Sequence, residues 1–169
     1  MMQKTHAILL AALFSAAACS TDSTGSTSLK TAQAAEPSAN RGHQQDFQWG
    51  PAPAVFPPGA QMALLAGDPS KAGEEFTVRL KFPNGYRIMP HTHPTTENVT
   101  VLTGTFLAGM GTEFKASDLR PFGRDAFASI PANHAHYAQA RGLTIVQVHA
   151  IGPFALTYVN PADNPTASK

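Results

Sequence analysis

The twenty residues GYRIMPHTHPTTENVTVLTG, 85–104, carry the reading of this chain. Within them His91 and His93 stand one residue apart between Pro90 and Pro94, and Glu97 follows four residues after His93. Along an extended strand residues i and i+2 point the same way, so His91 and His93 offer two imidazoles on one face. Glu97 shares their parity, but Pro94 interrupts the strand, so the carboxylate reaches that face only after a bend. Neutral imidazoles together with a carboxylate suit a first-row divalent ion and leave coordination positions open for another molecule.

The surroundings of this stretch read as β structure. Phe76, Val78, Leu80 and Phe82 alternate with Thr77, Arg79 and Lys81, the period-two signature of a half-buried strand that Pro83-Asn84-Gly85 ends. Further strands are expected over 62–69 (with its turn), 86–92, 98–102, 105–110, 125–130, 135–140, 143–151 and 154–159, each bounded by Gly, Pro, Asn or Asp. The segment 115–123 offers the one helical turn, stopped by Pro121. Trp49 and the proline-rich run from Pro51 to Gly59 read as an extended arm packing across the domain edge. Fourteen prolines and thirteen glycines without a period fit many short segments joined by tight turns, hence one all-β sandwich or barrel over 46–169.

Composition excludes several classes of function. The chain of 169 residues is 14% charged with a formal net charge of +1, so it has no basic field with which to hold nucleic acid. Its single cysteine, Cys19, allows neither an intrachain disulfide nor a thiolate zinc site. No GxSxG and no phosphate-cradling loop occurs.

The N-terminus reads as an export signal over 1–18: MMQKTH is the positive region and AILLAALFSAAA an apolar stretch too short to span a bilayer. Ala16-Ala17-Ala18-Cys19-Ser20 resembles a bacterial lipoprotein processing site, which implies a lipid on Cys19 and a periplasmic or outer-membrane location. Ordinary cleavage after small residues is the alternative. Residues 19–45, rich in Ser, Thr, Ala and Gln, read as a disordered tether that includes His43.

About thirty residues beyond Gly104, the run Pro131-Ala132-Asn133-His134-Ala135-His136 supplies two more histidines. The spacing Gly85, His91, His93, Glu97, Gly104 resembles the first conserved motif of the cupin superfamily. Pro131 with His136 resembles the second, with Asn133 in a glycine position, where a positive φ is tolerable for Asn. The resemblance covers roughly residues 60–155. It implies a jelly-roll barrel holding one metal ion (Fe, Mn, Ni or Zn) through His91, His93, Glu97 and His136. His134 shares the parity of His136 and competes with it for the fourth place; the family spacing favours His136.

Other side chains are candidates for the pocket. Gln147 and His149 share one face of their strand and Val146 and Val148 the other, so one of these pairs looks inward. Arg79 facing inward would hold a substrate carboxylate, and facing outward it would be solvated. Tyr86 and Tyr137 flank the two motifs as phenolic donors or as packing residues. The expected function is an exported metal-binding cupin acting on a small oxygen-bearing molecule by dioxygenase-like or Lewis-acid chemistry. Glu97 would take a proton, with His134 or His149 as outer acid or base and Arg79, Tyr86 and Gln147 contacting substrate. The rival reading is a non-catalytic binding module, and a third is a metal-free barrel serving as scaffold. A homodimer through sheet edges is a further expectation.

Overall fold

A computed structural model of the chain describes residues 47–167. The apolar N-terminal stretch, Cys19, His43 and the tether to residue 45 lie outside the described residues. The strands are β1 (Gly50–Pro51), β2 (Gln61–Ala66), β3 (Glu75–Phe82), β4 (Arg87–Thr92), β5 (Glu97–Met110), β6 (Arg120–Phe122), β7 (Phe127–Ile130), β8 (His136–Ile151) and β9 (Thr157–Tyr158). Every pairing among them is antiparallel. They form one curled sheet in the order β1-β2-β3-β8-β4-β9, with β5 paired to β6, β7 and β8, an all-β jelly-roll.

Two long strands make the curl. β5 and β8 pair along both their lengths, from Asn98↔His149 to Met110↔His136. The C-terminal half of β8 also pairs with β3, and its N-terminal half with β4. The sequence reading divides each of these strands in two, at Gly104 and at Gly142. In the structure both glycines, with φ of +75° and +73°, are bends within one strand. At Gly104 the approach is close: a Cβ there would collide with the Leu143 carbonyl and with Thr144. A side chain is excluded by space as well as by φ.

The alternation read in residues 76–82 is realised in β3, where Phe76, Val78, Leu80 and Phe82 are buried and the residues between them are not. With Val99 and Val101 of β5 and Val146 and Val148 of β8 they build the core. Two expectations differ. The helical turn expected within 115–123 is there, as a 3-10 turn at Ala116–Asp118 before the short strand β6, but it is not alone: a second 3-10 turn lies at Pro161–Asp163. Residues 154–156 leave the sheet as a loop before β9. The arm does not merely follow an edge. Beyond β1, residues 52–60 turn back on themselves, closed by Ala52 N–H donating to the Ala60 carbonyl.

Candidate metal centre

The polar cluster forms where β4 and β8 lie side by side. His91 and His136 are directly opposed across that ladder, so their rings share a face with centroids 4.2 Å apart. A register irregularity between Ile88 and His91 accommodates Pro90, which has no N–H to give the ladder. His93 follows just beyond the strand end, and a bend at Pro94-Thr95 returns the chain so that β5 begins at Glu97. Asn133, with φ +62°, donates its backbone N–H to the His93 carbonyl and ties the second histidine loop to the first.

Each imidazole is fixed by one hydrogen bond of the same kind. Nδ1 of His91 donates to the Met89 carbonyl at 2.8 Å, Nδ1 of His93 to Ala155 at 2.8 Å, and Nδ1 of His136 to His134 at 3.0 Å. A carbonyl only accepts, so the proton sits on Nδ1 and Nε2 is left with its lone pair. This is the orientation that metal-ligating histidines adopt. His93 is held further by Phe154, whose ring stacks on it at 4.2 Å and 16°.

The three histidines bring one nitrogen each to within 4.8 Å of one another. Glu97 Oε2 lies 3.3 Å from His136 Nε2 and 3.7 Å from His93 Nε2. His93 Nε2 is buried with no hydrogen-bond partner. Lone pairs on nitrogen thus face a carboxylate across buried space, which is unfavourable until positive charge stands between them. The donor set therefore fits a divalent cation: hard carboxylate oxygen with borderline imidazole nitrogen.

Burial disfavours the charged form of His91 and His93. Burial, and then the neighbouring His136 and His93, push His91 down to about 3. Burial likewise lowers His93, against the pull of Glu97. Burial alone would raise the Glu97 carboxyl; the imidazoles of His136, His93 and His91 outweigh it and hold it below its ordinary value. The cluster forms part of the wall of a cavity of about 330 Å³ whose other walls include Val78, Val146, Val148, Phe56 and Phe154.

No protein-family model matches the sequence, and no sequence among the curated proteins does. Solved structures do match. The polyketide cyclase RemF from Streptomyces resistomycificus aligns with a TM-score of 0.60 at 17% identity, over 74% of this chain and 88% of that one. A candidate acetylacetone dioxygenase from Methylibium petroleiphilum gives 0.57 at 22%, over 80% and 91%. An RmlC-like cupin from Shewanella frigidimarina gives 0.51 at 12%, over 66% and 90%. The chain has the cupin fold. Identities of this size speak for fold and not for chemistry.

Within the cupin barrel the remaining candidates are placed as follows. The inner face of β8 is the valine face, so Gln147 and His149 point outward. Gln147 accepts from Arg79 Nε at 3.2 Å, and His149 Nδ1 is hydrogen-bonded to Thr77 Oγ1 at 3.1 Å. Arg79 packs its guanidinium on the Phe47 ring at 4.4 Å, outside the cavity. His134 is exposed on its loop. Tyr86 is buried beside Phe82 and donates its hydroxyl to the Pro57 carbonyl at 2.6 Å, without lining the cavity. Arg79, Tyr86, Gln147, His134 and His149 thus do not line the cavity: the barrel turns the valine face of β8 inward, and these polar groups are bonded elsewhere. Tyr137 is fully buried and donates to the Lys115 carbonyl.

The sequence reading misses two cavity-forming segments. The arm contributes Pro53, Val55 and Phe56 to the wall, held down by Tyr86 and by Tyr158, whose hydroxyl donates to the Val55 carbonyl at 2.9 Å. The loop 154–156 contributes Phe154, Ala155 and Leu156. The available signal was an apolar run placed directly after Pro153 and another inside the proline-rich arm.

Proposed function

We propose that this chain is a mononuclear metalloprotein in which His91, His93, Glu97 and His136 hold one divalent ion of Fe, Mn, Ni or Zn, and that it acts on a small oxygen-bearing molecule. The observation that carries the reading is the convergence of three Nδ1-anchored imidazoles and a buried carboxylate on one cavity wall. Bound there, the ion would supply Lewis acidity or, if redox-active, O₂ activation. The chain's own residues do the rest. The backbone carbonyls of Met89, Ala155 and His134 keep the three Nε2 atoms deprotonated and aimed at one point. The apolar walls exclude water, which strengthens every electrostatic interaction at the cluster. Among the described residues lining the cavity, Glu97 is the carboxylate able to take a substrate proton.

A second reading, a non-catalytic binding module, draws support from a specific placement. His134 and His149 do not line the cavity, and among the described residues the acids and bases that do are the four of the cluster. The two readings separate in two steps. Protein purified without a chelating tag is analysed for metal, with close to one ion per chain expected for the wild type and none for His93→Ala. Full occupancy in that variant would sink the site. O₂ consumption and product formation are then followed with Fe-, Mn- and Ni-loaded protein, and persistent silence favours the binder.

We further propose that the barrel works outside the cytoplasm, either tethered through a lipid on Cys19 or released by ordinary cleavage. Palmitate labelling that disappears in Cys19→Ala supports the tether. Self-association is proposed through the edge strand β7, which pairs with β5 alone and leaves Phe127 60% exposed. A monomeric mass by light scattering refutes it.

A further inference from the structure

We propose that the molecule this cavity admits is polar at one end only: an oxygen head that ionises once, on an uncharged apolar body. The inference rests on the metal-centre reading above and narrows it to a substrate class.

The argument is one of supply. Among the described residues lining the cavity, the polar side chains are His91, His93, His136 and Glu97 and no others. No lysine, arginine, amide or hydroxyl side chain joins them. The groups that could have done so are committed elsewhere: Arg79 to Phe47 and Gln147 on the outer face, and the Tyr86 and Tyr158 hydroxyls to the carbonyls of Pro57 and Val55. Backbone groups of the flanking strands are consumed by the β3–β8 and β5–β8 ladders. A second charge or a row of hydroxyls on the ligand would therefore be stripped of water and given no partner, the costliest arrangement a binding site can impose. That disfavours sugars, amino acids and dioic acids.

The head follows from charge and the body from space. A divalent ion with one carboxylate and three neutral imidazoles leaves one positive charge, which a singly ionised head neutralises. At water's share of about 30 Å³ per molecule, 330 Å³ holds roughly ten non-hydrogen atoms. The apolar walls, with Val78, Leu80, Val146 and Val148, offer only dispersion and dehydration to that body.

The test uses the full chain loaded with Zn(II), which performs no redox turnover, and reads affinity by calorimetry. Three probes share one head: catechol, 4-ethylcatechol and 3,4-dihydroxyphenylacetate. Affinity should rise about tenfold from catechol to 4-ethylcatechol. The dihydroxyphenylacetate should bind at least about tenfold more weakly than 4-ethylcatechol, because its carboxylate has no partner. Equal affinities across the three, or tightest binding by the carboxylate, would overturn the inference. Zinc content measured on the same sample keeps the failures apart: stoichiometric zinc without discrimination sinks the substrate class alone, and absence of zinc sinks the metal centre with it.

Discussion

Gly73 and Gly104 share a φ of +75° but differ in what surrounds them, and alanine at each position separates backbone strain from packing. At Gly73 a Cβ would meet nothing within 4 Å. Its cost is the left-handed penalty of about 1–2 kcal/mol, reduced by about 0.4–1 kcal/mol because alanine also restricts the unfolded chain. About 1 kcal/mol of destabilisation should remain. At Gly104 the same balance applies, and the Cβ also collides with the Leu143 carbonyl and approaches Thr144 Cα to 2.9 Å. These are backbone atoms of a paired strand and cannot turn aside as a side-chain tip would. Forcing them apart adds an overpacking cost of about 1–3 kcal/mol, so Gly104→Ala should lose about 2–4 kcal/mol in all. Urea unfolding followed by circular dichroism measures both variants against the wild type. If the two alanines cost the same within about 0.5 kcal/mol, the close crossing of β5 over β8 is not what requires glycine at 104, and the reasoning fails.

Three further outcomes are expected. In metal-free protein, His91 takes up a proton in the unfolded state near 6.5 but in the folded state only near 3. Between those values the unfolded chain binds more protons, so stability is fully present above about 6.5 and falls as pH drops toward 3; a urea midpoint that is flat from pH 7 to 4 would contradict this. Tyr158→Phe removes the donor to the Val55 carbonyl and should cost about 1–2 kcal/mol while leaving zinc stoichiometry at wild-type level, so loss of zinc would show that the arm supports the cluster itself. Gln147→Ala and His149→Ala, on the outer face, should change 4-ethylcatechol affinity less than twofold, and a tenfold loss in either would place that face against the ligand.

What the sequence discloses and what it hides divide along a physical line. The grouping of His91, His93 and Glu97 is readable because period-two strand geometry and a proline bend are local properties of a short stretch, whereas His136 is reached only through the resemblance of its motif to the second cupin motif. The positive φ at Asn133 is readable for the same reason, since few residue types accept it. Periodicity names the two faces of β8 but not which one turns inward. That is decided by the apolar walls Val78 and Leu80 bring from a strand sixty-odd residues away in the chain. The loop 154–156 and the arm stay hidden for a different reason. Their side chains line the cavity, but what seats them there is hydrogen bonds to the carbonyls of Ala155, Val55 and Pro57, and every residue type carries a carbonyl. A contact made by backbone leaves no mark on composition. Gly104 and Gly142 mislead because a glycine that bends a strand and one that ends it look alike in one dimension.

The burial pattern bears on why the cluster exists at all. Among the described residues the buried polar or charged side chains are His91, His93, Glu97, His136 and Thr144. Thr144 is accounted for by the carbonyls of Thr105, Arg141 and Gly142 around its hydroxyl, at the bend of β8. The other four lie together against the cavity, with Glu97 Oε2 3.3 Å from His136 Nε2 and 3.7 Å from His93 Nε2, and His93 Nε2 is left without a hydrogen-bond partner. Apolar side chains of similar volume would make a core at least as stable, and the valine, leucine and phenylalanine residues next to the cluster show that this barrel fills its interior that way wherever it can. A set of groups that burdens the empty fold and fits a cation is better explained by what it holds than by what it stabilises. The walls that form the core are also the walls of the cavity, so under the proposed function Val78, Leu80, Val146 and Val148 would set stability and ligand choice together.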